Sequence, residues 1–218
     1  METNDFLSQL MAVLKMFLQS ITSYVSSLDL TKVADILLYN PREPLLFSSG
    51  AFLFIFLVFM AVYYCLRNKV DARLLFVTLF SYYFFYKSSG FYFLLLVIVT
   101  VSDYYIARRV ARGKHPKLWL ALSLLVDLGL LAYFKYTNFF AGMVAQMIGG
   151  NFQPWDIFLP VGISFYTFKT ISYVVDVYRK KVLPMDSMLD YAFYVSFFPT
   201  LLAGPITRAT DFGPQIRK

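Results

Sequence analysis

From Phe158 to Arg179 the chain reads FLPVGISFYTFKTISYVVDVYR, a run long enough to cross a bilayer that nonetheless carries Lys169 and Asp176. Residues three, four and seven apart share one face of a helix. Gly162, Phe165, Tyr166, Lys169, Ser172, Tyr173 and Asp176 therefore form a single stripe that grows more polar toward its end. Val161, Phe168, Ile171 and Val175 keep the other side apolar. Lys169 and Asp176 stand two turns apart, roughly 10 Å along the axis, and cannot pair within the helix. Each needs a partner from another segment, or water.

The same patterning divides the rest of the chain. Asp5 to Ile21 places Phe6, Leu7, Leu10, Met11, Leu14, Phe17, Leu18 and Ile21 at helical spacing, with Ser8, Gln9, Lys15 and Gln19 away from that face. This predicts an amphipathic helix that lies flat among headgroups or packs on a partner. A second short helix, Leu30 to Tyr39, ends at Asn40-Pro41. Ser49 to Leu66 reads as a first span, followed by the basic residues Arg67, Lys69 and Arg73. Leu74 to Tyr86 and Gly90 to Ser102 are each too short to cross, and Lys87, Ser88, Ser89 and Gly90 interrupt them. They form one long tilted span or a hairpin that dips part-way into the membrane. The hairpin is favoured, because it leaves the basic loop at Arg67 to Arg73 and the one at Arg108, Arg109, Arg112, Lys114 and Lys117 on the same side. Leu118 to Phe134 is a further span with Asp127 near its middle and Lys135 at its end; the loop Gly149 to Asp156 is nearly uncharged. Met188 to Ala203 is a weak span broken by Pro199 and ended by Gly204-Pro205, followed by a polar tail.

Composition turns these runs into a membrane protein. Of 218 residues 59% are hydrophobic and 15% charged, too apolar to cover a soluble surface. The 24 Phe and 17 Tyr suit lipid contact and interfacial belts. The excess of 20 Lys plus Arg over 13 Asp plus Glu lies in short loops, where topology and anionic headgroups explain it and nucleic acid is not required. Cys65 has no cysteine partner for a disulfide and reads as lipid-facing or packed. The N-terminus METNDF is acidic where a cleavable signal would be basic.

Candidate chemistry is sparse. No G-x-S-x-G, phosphate loop or metal-spaced Cys/His pair occurs. The lone histidine, His115, sits in Lys114-His115-Pro116-Lys117 and reads as a solvated loop residue. Lys169 is too deep to snorkel easily, so an internal partner is expected, and Asp127, with no basic neighbour on its own helix before Lys135, is the one to test. Asp176 has Arg179 and Lys180 three and four residues on, which suits an ion pair on the helix. Asp103 reads as the anchor of a helix end beside Arg108 and Arg109.

The run Pro160-Val161-Gly162-Ile163-Ser164-Phe165-Tyr166-Thr167-Phe168 resembles the signature of membrane-bound O-acyltransferases, in particular the bacterial alginate O-acetyltransferase and teichoic acid D-alanyl transferase branch. Phe197-Phe198-Pro199-Thr200-Leu201-Leu202-Ala203-Gly204-Pro205-Ile206-Thr207-Arg208, with Asp211-Phe212 and Pro214-Gln215 after it, is similar to the next block of that family. Leu46 to Ser49, Ser102-Asp103-Tyr104 and Tyr133 to Phe140 resemble earlier ones. The likeness covers Leu45 to Lys218, and residues 1–44 lie outside it.

What the resemblance implies is an all-α, polytopic integral protein of the bacterial inner membrane, with about five or six transmembrane or re-entrant helices behind an N-terminal amphipathic helix. It implies O-acyl transfer, acetyl foremost, from a cytoplasmic thioester such as acetyl-CoA or an acyl carrier protein conjugate to hydroxyls of an exported polysaccharide. A soluble or periplasmic acyltransferase partner belongs to the same expectation. No residue matches the family's catalytic histidine, which lies downstream of the Ala-Gly-Pro block. The chain therefore reads as an N-terminal, truncated portion with no catalytic residue of its own. On this reading Lys169, Ser172, Tyr173, Asp176, Asp127 and Arg208 line a polar substrate pathway, and Pro160, Gly162, Gly204 and Pro205 shape it. A transporter or channel-like subunit, or an inactive inserted fragment, is the alternative; a transporter would show internal repetition, and the Pro160 to Phe168 pattern occurs once.

Overall fold

The computed structural model describes residues 15, 19, 38–40, 45, 50–202 and 207–217. The chain divides into two compact units, Met1–Asn40 and Pro41–Lys218. The helices expected at Asp5 to Ile21 and Leu30 to Tyr39 fall outside the described residues, apart from Lys15 and Gln19, both helical and exposed, and a non-helical stretch at 38–40.

The second unit is all-helical among its described residues. Helix α1, Gly50–Cys65, follows its apolar run closely. It buries Phe52 and Phe59 and turns Leu53, Phe54, Leu57 and Val58 outward. The buried edge is a stack of rings: Phe59 lies 4.3 Å from Phe80 and 5.6 Å from Phe198, centroid to centroid.

Helix α2, Val70–Ser89, and helix α3, Phe93–Arg112, have 20 residues each, about 30 Å apiece, so each is long enough to cross a bilayer. The apolar runs alone are shorter because α2 begins with Val70 to Arg73 and α3 continues through Asp103 to Arg112. A 3-10 turn, Gly90–Tyr92, joins the two. Gly90 has φ 61, a value that favours glycine, and the chain reverses there. Tyr82 and Thr100 meet across the turn, which a single straight helix would hold roughly 27 Å apart; the hairpin is the arrangement found.

Helix α4, Pro116–Met147, runs 32 residues, 13 past the expected end at Phe134. Lys135, Thr137 and Asn138 do not break a helix, and the stop comes only where Gly149 takes φ 73. Ser123, Asp127 and Leu131, four residues apart, are its buried positions, whereas Leu125 is 72% exposed. The polar residues therefore face the bundle and the leucines face out, the reverse of a soluble surface helix.

Helix α5, Ile163–Tyr178, starts five residues later than the apolar run, because Pro160 and a left-handed Gly162 precede it. Helix α6, Met188–Ser196, is capped by Ser187, whose hydroxyl accepts from the Leu189 and Asp190 amides. The break before the short helix α7, Phe198–Leu202, falls at Phe197 and not at Pro199. Pro199 thereby sits in a first helical turn, where its missing N–H costs nothing. A one-turn helix α8, Ala209–Phe212, and a 3-10 turn, Gly213–Gln215, close the unit.

Contacts sort these elements into two ends. Arg217 binds Asp190 at 2.7 Å and Asp71 at 3.1 Å. The Tyr104 hydroxyl donates to the Asp186 carbonyl, and the Met185 amide donates to the Tyr173 hydroxyl. The basic segments around Arg67 to Arg73, Arg108 to Lys117 and Arg179 to Lys181 thus share one end. At the other, Ser88 donates to the Leu45 carbonyl and the Val161 amide donates to Ser89. Among the described residues two helical stretches, Val70–Arg112 and Pro116–Met147, are long and apolar enough to cross a membrane.

Candidate functional site

Two neighbouring residues of α5, Lys169 and Thr170, look into two different polar clusters. Lys169 is only 3% exposed. Its ammonium donates to the Thr200 hydroxyl at 3.0 Å and stands 4.7 Å from the centre of the Tyr194 ring and 5.6 Å from that of Phe212. Helices α6, α7 and α8 supply one residue each. The break at Phe197 makes this possible, because its carbonyl accepts from Thr200 and fixes that hydroxyl in the first turn of α7. Two aromatic faces and one hydroxyl partly offset the cost of burying the cation. No carboxylate among the described residues lies within ion-pairing distance of it. An ammonium has three N–H donors, and one is spent here.

Asp127 is not its partner. It lies on the other side of α5, with no exposed surface, and its Oδ2 accepts from Thr170 at 3.2 Å. Opposite it on α3 is Asp103, 1% exposed, whose Oδ1 accepts from Ser123 at 2.9 Å. The two acids are neighbours across α3 and α4, since Ser123, one turn before Asp127 on the buried face of α4, donates to Asp103. Tyr191 of α6, fully buried, lies near both acids. The expected pairing fails because a step of one residue turns a helix by about 100°. Lys169 thereby faces α6 to α8, and Thr170 faces α3 and α4.

The other expected site residues separate as well. Ser172 donates to the Lys169 carbonyl at 2.9 Å and is half-buried. Tyr173 is fully buried 4.7 Å from Tyr191, and its hydroxyl is occupied by the Met185 amide. Asp176 is 7% exposed, near Tyr194, and makes no ion pair with Arg179 or Lys180. The helix ends at Tyr178 and Lys180 takes φ 57, so the i, i+4 register that would have joined them is lost, and the Asp176 carbonyl accepts from Lys181 instead. Arg208 is exposed ahead of α8 and makes no ion pair among the described residues. Gly204 and Pro205 lie outside the described residues. Pro160 is buried, and Gly162 meets the Leu201 carbonyl so closely that a Cβ would stand 2.5 Å from its oxygen. His115 is exposed at the start of α4, on the basic end.

Beyond Phe212 an apolar cleft of about 540 Å³ opens between α1, α2, α6, α7 and the C-terminal segment. Phe56, Phe59, Phe193, Phe197 and Phe212 line it, with Arg73 and Gln215 among its few polar members.

Asp103, Ser123, Thr170, Tyr191 and Thr200 escaped the sequence reading. For Ser123 a signal existed: it stands four residues before Asp127 on an otherwise apolar helix, so a polar face was written there. Asp103 was hidden by the arginines after it, which mimic a helix end. Tyr191 and Thr200 depend on where α6 and α7 fold back, which spacing along the chain does not show.

No family model matches the chain, and no solved structure does. It is similar to the probable alginate O-acetylase AlgI of Pseudomonas aeruginosa, 38% identical over 180 residues that cover 78% of this chain and 34% of that protein. The AlgI of Azotobacter vinelandii is 36% identical over 180 residues, 78% of this chain and 36% of that one. A peptidoglycan O-acetyltransferase of Helicobacter pylori is 31% identical over 144 residues, 54% of this chain and 27% of the relative. The chain spans about a third of the length of these relatives.

Proposed function

We propose, from a chain whose sequence relatives are O-acetyltransferases of the membrane-bound O-acyltransferase kind, that it forms the N-terminal part of a multi-pass enzyme of the bacterial inner membrane. That enzyme passes an acetyl group from a cytoplasmic thioester, acetyl-CoA or an acyl carrier protein conjugate, to hydroxyls of an exported polysaccharide. The observation that supports this most is the 38% identity over 180 residues to a probable alginate O-acetylase. The basic end of the bundle then faces the cytoplasm and the donor, and the uncharged loop Gly149 to Asp156 faces outward.

Within this part Lys169 is the residue best placed to touch substrate. Its two unspent N–H donors suit a carbonyl or phosphate oxygen of the thioester, and the apolar cleft beyond Phe212 suits the uncharged remainder of such a donor. Ser172 and Asp176, on the same stripe, continue a polar route toward the basic end. Tyr173 is spent on holding the Met185 segment, and no general base is assigned to this chain.

The test is complementation. The full-length protein is expressed in a strain lacking its own polysaccharide O-acetylase, and ester-linked acetate on the exported polymer is measured. Restored acetate, lost again with Lys169→Met, is expected. Protein present in the membrane with no acetate on the polymer overturns the reading.

A further inference from the structure

Each carboxyl of the Asp103 and Asp127 pair has one oxygen satisfied and one bare. Asp103 Oδ1 accepts from Ser123 and Asp127 Oδ2 from Thr170, which leaves Asp103 Oδ2 and Asp127 Oδ1 buried with no partner. The Tyr191 hydroxyl is a third buried group without one, and Tyr191 lies near both acids. Buried polar atoms in native proteins are nearly always paired, so three orphans converging from α3, α4 and α6 call for an occupant.

We propose that Asp103, Asp127 and Tyr191 form a buried proton-binding site, in which one carboxyl is in its acid form and donates its hydrogen to the other. Two ionised carboxylates are acceptors only and cannot bond to each other. One proton turns one of them into a donor and satisfies both bare oxygens at once. It also reduces two buried negative charges to one. The remaining charge accepts from the hydroxyls already aimed at the pair and from Tyr191, which closes the site from α6.

The ligand set favours a proton over a metal cation. Among the described residues no group of three acidic, His or Cys side chains could hold a metal ion. The Ser123 hydroxyl is spent on Asp103, and the single Thr170 hydrogen is shared between Asp127 and the Thr167 carbonyl. The titratable neighbours on the packed elements are Tyr166 of α5 and Tyr191 of α6, and no lysine or arginine pairs with either acid. The site lies across α5 from Lys169 and does not depend on the acyl-transfer reading. Its hydrogen joins α3 to α4, and Thr170 ties α5 to the pair.

Infrared spectroscopy of the full-length protein in detergent tests this at neutral pH. A carboxylic acid C=O stretch, distinct from the ionised carboxylate bands, is expected in the parent protein and is lost or displaced in both Asp103→Asn and Asp127→Asn. A spectrum without that band, or a band that neither substitution moves, overturns the proposal. So does a melting temperature that rises with sodium chloride over choline chloride in the parent but not in Asp127→Asn, since a cation would then hold the site. Where both variants fail to fold, Tyr191→Phe leaves the two carboxyls in place and is expected to shift the band; a parent spectrum without the band overturns the pair, and an unshifted band overturns the part given to Tyr191.

Discussion

Lys169 and Thr200 meet at 3.0 Å in the bundle, a buried cation resting on one hydroxyl and two aromatic faces, with no ion pair to an acid among the described residues. A charge placed so is expensive to keep and is not repaid by an ion pair. Lys169→Met fills the same volume without the charge. If the lysine serves substrate, this variant inserts normally, melts at or above the temperature of the parent and loses at least about tenfold in acetyl transfer, which corresponds to about 1.4 kcal/mol. A variant that melts lower with acetylation unchanged shows the lysine to be a packing element.

Gly162 holds the entrance of α5 against the Leu201 carbonyl. It combines a left-handed φ of 77 with a Cβ position 2.5 Å from that oxygen. Gly162→Ala is expected to destabilise the protein by about 1–3 kcal/mol, since both backbone strain and a steric clash oppose it. Gly129 is the internal control: it lies within α4, and a Cβ there meets nothing within 4 Å. Gly129→Ala is expected to leave stability unchanged or raise it by up to about 1 kcal/mol. Thermal melts of both variants in the same detergent decide the matter.

Periodicity was enough to find the long apolar helices and the hairpin, because such helices are written as apolar runs and the basic loops mark which ends lie together. The ends of elements were harder. The expected start at Phe158 failed since Pro160 and Gly162 act on the backbone before the apolar pattern shows any change, and α4 ran on through Lys135 since one long cation can extend outward without breaking a helix. The site was half visible. Lys169 and Asp127 stood out as charges inside apolar runs, but which acid faces which base depends on rotation about the helix axis. An error of one residue sends the side chain to the wrong neighbour.

Thr170 gives Asp127 its one hydroxyl donor. Thr170→Val keeps the shape and removes that bond, leaving a buried carboxyl oxygen without a partner at a cost of about 1–3 kcal/mol. Thr170→Ser restores the hydroxyl and is expected to recover most of the loss. Equal melting temperatures for the valine variant and the parent would show that Asp127 has found another donor.

Arg217 joins Asp190 through two nitrogens and Asp71 through one, tying the C-terminal segment to α6 and α2 on the exposed basic end. Exposed ion pairs are screened by salt and repay little of the side-chain entropy they fix. Arg217→Ala is expected to lower the melting temperature slightly in dilute buffer and not at all in concentrated salt. A loss that survives high salt would mean that the arginine packs the C-terminal segment and does not merely pair with it.

The assignment of sides rests on the basic loops and can be tested with thiol chemistry. Cys65 is the only cysteine of these 218 residues and is exposed, so Cys65→Ser, with any cysteine elsewhere in the expressed protein also replaced, provides the background. Asn151 lies in the uncharged loop and Lys180 in the basic turn after α5, and both are exposed. In intact cells whose outer membrane has been made permeable, a maleimide unable to cross the inner membrane is expected to label Asn151→Cys and to spare Lys180→Cys until the inner membrane is opened. Labelling of Lys180→Cys first would invert the protein. Labelling of both at once would remove the barrier between them, and with it the crossing assigned to α5.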